Sequence, residues 1–260
     1  MSFVVVIPAR YSSTRLPGKP LLSIAGKPMI QHVWERAQQS EAERIVIATD
    51  DERIEKIASA FGAEVILTSP DHASGTDRLA EVVTTLGFDG AQILVNVQGD
   101  EPLIPPSVIN QVALNLRRCD DANIATLCET ISEPSVLLDP NAVKVVFDCN
   151  GMALYFSRAC IPYPRQHNWE SGDMPQGNWF RHLGLYAYRA SFLERFSAWP
   201  SSQLEETESL EQLRALSQGE GIHVEPAIAP VPGGIDTPQD LQETRVLLGD
   251  DLSGAHDQDV

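Results

Sequence analysis

The sequence predicts an α/β fold built on a doubly wound, mostly parallel sheet, with an antiparallel excursion in its second half. Three observations predict it. A β-branched run at residues 3–7, closed by Pro8, fits a strand buried on both faces. Strand-like and helical patterns then alternate as far as residue 117, as parallel sheets require. Beyond residue 122 that alternation stops.

Residues 3–7 read as a central parallel strand. A loop rich in Ser, Pro and Gly leads to a helix over 28–38, with Pro28 near its first turn and Met29, Ile30, Val33, Trp34 and Ala37 on one face. The unit repeats as a strand over 44–49, a helix over 51–61 with Ile54, Ile57, Ala58 and Phe61 inward, and a strand over 64–68. A helix over 76–86, through Leu79, Ala80, Val83 and Leu86, precedes a strand over 92–97 and a helix over about 106–117. Right-handed crossovers make such a sheet doubly wound, and ligands bind outside the carboxyl ends of its strands. The loops after Ile7 and Val97 are therefore the places to search.

Stretches at 124–130, 143–148 and 153–157 read as strands without intervening helices, hence as antiparallel additions. Residues 162–179 combine Pro162, Pro164, Gly172, Pro175 and Gly177 with polar side chains, and long loops inside compact domains are usually lids or interfaces. A helix over 205–216 and a strand over 222–229 follow. Residues 1–248 read as one domain, with an excursion at about 150–190. The acidic, polar tail at 249–260 reads as disordered.

A chain of 260 residues with 43% hydrophobic content can bury one sizeable core. Its apolar runs fall far short of the roughly 20 residues of a membrane span, and the start lacks the pattern of a secretory signal. Cytoplasmic residence is the expectation. The cysteines, Cys119, Cys128, Cys149 and Cys160, form no C-x-x-C pair and read as reduced thiols. A net charge of −17 disfavours nucleic acid and anionic membranes, so a polyanionic ligand needs a local cationic pocket or a metal. One candidate exists. Residues 1–20 contain no carboxylate, yet carry Arg10, Arg15 and Lys19.

Those cations lie in Pro8-Ala9-Arg10-Tyr11-Ser12-Ser13-Thr14-Arg15-Leu16-Pro17-Gly18-Lys19-Pro20, at the end of the first strand. The segment matches neither the G-x-G-x-x-G fingerprint nor the G-x-x-x-x-G-K-[ST] loop. Any phosphate grip there relies on side chains, Arg as a planar fork and Lys as a point charge. A solvated basic loop is the competing reading. In Val95-Asn96-Val97-Gln98-Gly99-Asp100-Glu101-Pro102, Gly99 would let backbone approach a ligand closely. Asp100 could hold Mg²⁺ against phosphate oxygens or close an Asx-turn. Late in the chain, Thr237, Pro238 and Asp240 form an N-cap, a first-turn proline and a capping-box acid. Asp236 is left over, as a metal ligand or as simple turn chemistry.

With Asp71-His72-Ala73-Ser74-Gly75-Thr76-Asp77-Arg78, these segments closely resemble the Kdo cytidylyltransferases, or CMP-Kdo synthetases, where Kdo is 3-deoxy-manno-octulosonate. The likeness extends through Asn141-Ala142-Val143-Lys144-Val145-Val146, Tyr155-Phe156-Ser157-Arg158-Ala159, Arg181-His182-Leu183-Gly184-Leu185-Tyr186 and Leu210-Glu211-Gln212-Leu213-Arg214. It runs to about residue 248, and the tail has no counterpart. The resemblance implies a Rossmann-like nucleotidyltransferase fold, a homodimer and transfer of CMP from CTP to Kdo, which activates Kdo for lipopolysaccharide synthesis. Carried over by motif, Ala9, Arg10, Arg15, Lys19, Ser74, Gly75 and Gln98 bind the nucleotide, and Arg10, Lys19, Asp100 and Asp236 serve catalysis. Asp100 and Asp236 hold Mg²⁺. Arg78, Gln98, Arg158, Arg165, His182, Tyr186, Glu211 and Gln212 form the sugar site.

Such a reaction needs positioning and electrostatic stabilisation as charge builds on a crowded polyphosphate. Alternatives are a cytidylyltransferase for 8-amino Kdo or sialic acid, which fold alone does not separate, and a non-catalytic CTP-binding module. The missing glycine fingerprint disfavours an NAD-dependent oxidoreductase.

Overall fold

The computed structural model describes residues 2–12, 16–72 and 74–249. Its first half runs β1 (Val4–Ala9), a small hairpin of β2 (Ser23–Ile24) and β3 (Lys27–Pro28), α1 (Met29–Gln38), β4 (Arg44–Thr49), α2 (Glu52–Ala60), β5 (Glu64–Leu67), α3 (Gly75–Leu86), β6 (Ile93–Asn96) and α4 (Pro106–Arg118). The second half runs β7 (Ile124–Thr130), α5 (Pro134–Leu138), β8 (Lys144–Phe147), β9 (Ala153–Ser157), β10 (Phe180–Arg189), α6 (Ala190–Ala198), α7 (Gln203–Glu208), α8 (Gln212–Ser217), β11 (Ile222–Pro226) and α9 (Pro238–Leu247).

Nine strands share one sheet in the order β11-β7-β10-β6-β1-β4-β5, with β8 pairing β10 and β9 pairing β8. β1 is parallel to both β4 and β6, β4 to β5, and β7 to β11. β10 runs antiparallel to β6, β7 and β8. Val4, Val5, Val6 and Ile7 are all buried, as a central strand requires. Because side chains alternate along a strand, Val5 and Ile7 join the core built with α1, α2 and α4, while Val4 and Val6 join the core built with α3, α6 and α8. Helices thus cover both faces. The chain moves from β1 outward to β4 and β5, then returns to β6 on the other side of β1. The switch point therefore lies between the carboxyl ends of β1 and β6, where a ligand crevice is expected.

Several local readings change. β1 runs through Pro8 to Ala9, paired with β4 up to Ala9↔Thr49. Val97 N donates to Val6 O, so Pro8, two residues on, also faces the β6 side, beyond the last β1–β6 pair at Asn96. A missing donor costs little there. The helix expected over 205–216 is two helices, α7 and α8, parted by Ser209 in a left-handed conformation (φ 51). The short helix α5 interrupts a stretch read as strands only. Ile57 on α2 is 37% exposed instead of inward. The last strand stops at Pro226. β10, at the end of the stretch expected as an excursion over about 150–190, lies in the middle of the sheet.

No helix among the described residues is long and apolar enough to cross a membrane. All four cysteines are free. Tail residues 250–260 lie outside the described residues.

Candidate active site

The crevice begins where β1 ends. Gly18 N donates to Tyr11 O (3.1 Å) and closes the loop, and Gly18 adopts φ 65 with the Tyr11 ring 3.2 Å from where a Cβ would stand. That turn starts a short 3₁₀ segment, Lys19–Leu21, and delivers Lys19 into the crevice. Its Nζ lies 2.6 Å from Asp100 Oδ2 and 3.0 Å from Asp236 Oδ1. One ammonium therefore bridges two carboxylates from distant loops.

Asp100 owes its place to two backbone contacts. A Cβ on Gly99 would stand 2.8 Å from Pro8 O. Gly99 is thus needed for close approach to the chain's own backbone. Ile235 N donates to Asp100 O (2.9 Å), and Gly234 packs against the Asp100 carboxylate. This docks the loop that carries Asp236. Asp236 itself precedes the N-cap of α9, whose capping box joins Thr237 and Asp240 as the sequence predicts. Capping of this kind contributes about 1 kcal/mol.

Asp100 also lines a cavity of about 380 Å³ with Gln98, His182, Tyr186, Glu211 and Gln212. Thr76, Tyr188, Phe192, Phe196 and Leu210 complete much of its wall. Thr76 Oγ1 donates to Glu211 Oε2 (2.7 Å), while Glu211 Oε1 is buried without a protein partner. An acceptor thus remains at the wall. Tyr186 and Tyr188 stack at 5.6 Å between ring centroids, and Tyr188 stacks on Phe192 at 5.9 Å. The left-handed turn at Ser209 lets Glu211 and Gln212 stand at the start of α8 instead of continuing α7.

Three predicted sugar contacts are elsewhere. Arg78 is fully buried on α3, bound to Asp50 (2.7 Å) and to the Thr68 hydroxyl, so its charge is consumed inside the fold. Breaking such a pair costs about 3–5 kcal/mol, which is reason enough for its retention. Arg158 donates to the carbonyls of Glu208 (2.7 Å), Pro140 (2.9 Å) and Ser209 (3.4 Å), fastening the α7 turn. Arg165 is exposed in the loop after β9 and lines a different cavity with His167 and Asp173. None of the three lines the cavity that holds His182. Arg78 and Arg158, expected at the sugar through the family resemblance, have protein partners where they stand.

Of the expected nucleotide contacts, Ala9 ends β1 as a buried residue, and Arg10 follows it at the mouth of the crevice. Ser74 caps α3 in a capping box with Asp77, and a Cβ on Gly75 would stand 3.7 Å from the Pro8 ring, which puts the amino end of α3 over the end of β1. Arg15 lies outside the described residues. Sequence reasoning missed Thr76, Tyr188, Phe192 and Phe196 as cavity wall, although the Phe192, Leu193, Phe196 spacing marks a helix face.

Burial tunes the ionisable groups. Desolvation, with the nearby Asp100 charge, pushes the Glu101 carboxyl up to about 8. Desolvation, helped by Arg181, pushes His182 down to about 3, so its ring is neutral. Tyr186 is held well above its ordinary value by the same cause. The charged end and the neutral end thus differ in kind.

Among known proteins, a cytidylyltransferase family model matches residues 4–222. The 3-deoxy-manno-octulosonate cytidylyltransferase of Marinobacter nauticus is 59% identical over 255 residues, covering 95% of this chain and 97% of the relative. That of Cellvibrio japonicus is 58% identical over 254 residues, with 95% and 98% covered. A solved structure of CMP:2-keto-3-deoxy-manno-octonic acid synthetase complexed with CTP superposes with a TM-score of 0.86 at 46% identity, covering 95% of this chain and 98% of that one. A 4-diphosphocytidyl-2C-methyl-D-erythritol synthase shares the fold at a TM-score of 0.63 and 14% identity. By sequence over nearly its whole length and by fold, this chain belongs to the 3-deoxy-manno-octulosonate cytidylyltransferase family.

Proposed function

We propose that this chain transfers CMP from CTP to Kdo, giving CMP-Kdo and pyrophosphate. One observation carries the reading: a single cavity runs from Asp100, beside Lys19 and Asp236, to His182, Tyr186, Glu211 and Gln212. A charged end suited to a polyphosphate opens into a neutral, hydrogen-bonding end suited to a sugar. In the reaction, the anomeric oxygen of Kdo forms a bond to the α-phosphorus while the bond to the bridging oxygen of pyrophosphate breaks.

Arg10, Arg15 and Lys19 would neutralise the triphosphate, with Ser74 and Gly75 bringing the amino end of α3 and its partial positive charge toward it. Asp100 and Asp236 fit Mg²⁺. They are hard oxygen donors held about one cation apart by the Lys19 ammonium, and magnesium takes one or two carboxylates and completes its shell with phosphate oxygens and water. When bound there, Mg²⁺ would offset charge on the phosphates and favour the ionised sugar hydroxyl. Gln98, His182, Tyr186, Glu211 and Gln212 would orient the sugar. The remaining work of the protein is alignment.

We also place the reaction in the cytoplasm and read the working form as a homodimer. The exposed apolar side chains of Leu138, Leu154 and Tyr163, in and around the excursion, support an interface there.

Pyrophosphate release from CTP tests the proposal with Kdo, 8-amino Kdo and sialic acid offered in turn. Kdo should give the largest kcat/KM, and excess EDTA should abolish turnover until Mg²⁺ is restored. Preference for another sugar would move the substrate, and full activity in EDTA would remove the metal.

A further inference from the structure

At the neutral end of the cavity, β10 carries an irregularity. Its register against β7 shifts between Leu183 and Tyr186, and Thr126, fully buried on β7, stands opposite Tyr186 at that break. The Thr126 hydroxyl meets three groups there. Oγ1 lies 2.8 Å from Leu185 O, 3.0 Å from Leu183 O and 3.0 Å from His182 Nε2.

A hydroxyl has one hydrogen to give and lone pairs to receive with. Carbonyl oxygens only accept, so the Thr126 hydrogen is directed to the two carbonyls. The contact with His182 is then a hydrogen bond only if Nε2 carries a hydrogen and donates it. The opposite arrangement, with the hydroxyl donating to a bare Nε2, sets both carbonyls against hydroxyl lone pairs at hydrogen-bonding distance. That forfeits the hydrogen bond from Thr126 to the buried carbonyls and sets lone pairs against lone pairs, at a cost in stability.

We propose that Thr126 is a positioning residue that fixes His182 as its neutral Nε2–H tautomer, leaving Nδ1 as a hydrogen-bond acceptor for a sugar hydroxyl. The proposal rests on the reading that this end of the cavity takes the sugar. The ring's surroundings agree with it. Phe156 meets the His182 ring edge-on at 5.1 Å and Tyr186 packs at 5.3 Å, which holds its plane. Burial separately keeps the ring uncharged. Glu211 Oε1, a buried atom without a protein partner on the same wall, is also an acceptor. A wall that presents acceptors selects donors. It therefore favours free hydroxyls over ethers at the same sugar positions, because an ether oxygen has no hydrogen to give.

The test uses the full-length enzyme labelled with ¹⁵N histidine, comparing wild type with Thr126→Val, which loses the hydroxyl at similar size, and Thr126→Ser, which keeps it. Long-range ¹H–¹⁵N spectra of His182, assigned by its loss in His182→Ala, should show a protonated Nε2 and a bare Nδ1 in wild type and Thr126→Ser. In Thr126→Val the tautomers should mix, and KM for Kdo should rise roughly three- to tenfold, the size of one net hydrogen bond, with KM for CTP unchanged. Thr126→Ser should restore it. A wild-type His182 with hydrogen on Nδ1, or on both nitrogens at pH 7, overturns the proposal even if Thr126→Val does not fold. So does a folded Thr126→Val that keeps both the wild-type ring spectrum and the wild-type KM for Kdo. The expected tautomer with unchanged Kdo kinetics in His182→Ala overturns the sugar reading instead, and leaves the tautomer assignment standing.

Discussion

The two ends of the cavity are built on opposite principles. At the phosphate end, three loops bring formal charges together, with Lys19 bridging Asp100 and Asp236 across sequence separations of 81 and 217 residues. At the sugar end the wall is nearly free of formal charge: a neutral histidine, two tyrosines held protonated, two glutamines and one carboxylate already bonded to Thr76. Charges that pair with one another are ready to exchange partners when a polyphosphate and a cation arrive. Neutral groups must be right in direction before the ligand comes, so the fold fixes them with a strand irregularity and a left-handed turn. The difference suggests that replacements at the first end act on turnover, and replacements at the second act on recognition.

The largest effect should come from breaking the charged end. Asp236 is the cleaner target, since its side chain is 52% exposed and its removal leaves the α9 capping box intact. Asp236→Ala should lower kcat by about 10²–10³-fold, the usual loss for a group that stabilises developing charge. Thermal melting should stay cooperative, and Asp100→Ala should lose at least as much. A near-normal kcat in Asp236→Ala would return Asp236 to simple turn chemistry and leave the comparison without its first half.

Much of this contrast can be read in the sequence, and what cannot has a physical reason. The charged end is nominated by residue type in loops that follow buried strands. Asp236 stands out because Thr237, Pro238 and Asp240 are explained by capping, and the structure shows that cap. Parallel strands and their helices announce themselves by periodicity, so the first half of the fold is legible almost element by element. The sugar end is not. His182, Tyr186, Glu211 and Gln212 were reached only through the family resemblance, because the break in β10 and the turn at Ser209 leave no periodic trace. Arg78 and Arg158, reached through the same resemblance, are bonded within the fold. A cation's type says that it needs a partner, but not whether that partner is a ligand, a buried Asp50 or a row of carbonyls.

A smaller effect sharpens the comparison through pH. Glu101, next to Asp100, is held protonated up to about 8 in the fold, against an ordinary value of 4.5 when unfolded. A raised folded value means that its contribution to stability is complete below about pH 4.5 and is lost as pH rises toward 8. Glu101→Gln keeps the shape without the titration. Urea unfolding at pH 6 and pH 9 should show wild type losing stability across that interval and the variant losing less, by on the order of a few kcal/mol. Equal pH dependence in both proteins would mean that Glu101 ionises freely in the fold.

The smallest effect, and the most selective, belongs to the neutral end. His182 has a folded value lowered to about 3 from 6.5, so the unfolded chain takes up its proton first, and the linked loss of stability begins as pH falls below about 6.5. That window lies below about 6.5, whereas the interval from pH 6 to pH 9 that reads Glu101 lies almost wholly above it. Within the native protein the ring stays neutral from pH 5 to 9, so KM for Kdo should show no inflection near 6.5 that belongs to His182. His182→Ala removes one oriented hydrogen-bonding group and should raise KM for Kdo by about tenfold, or about 1.4 kcal/mol, leaving KM for CTP within about twofold. Initial rates with each substrate varied at saturation of the other measure both. An equal loss on the two axes would show that the ends are not separable, and that His182 acts through the shape of the whole cavity. A selective loss on the sugar axis, beside the kcat loss in Asp236→Ala, would mean that one cavity keeps recognition and turnover in different side chains.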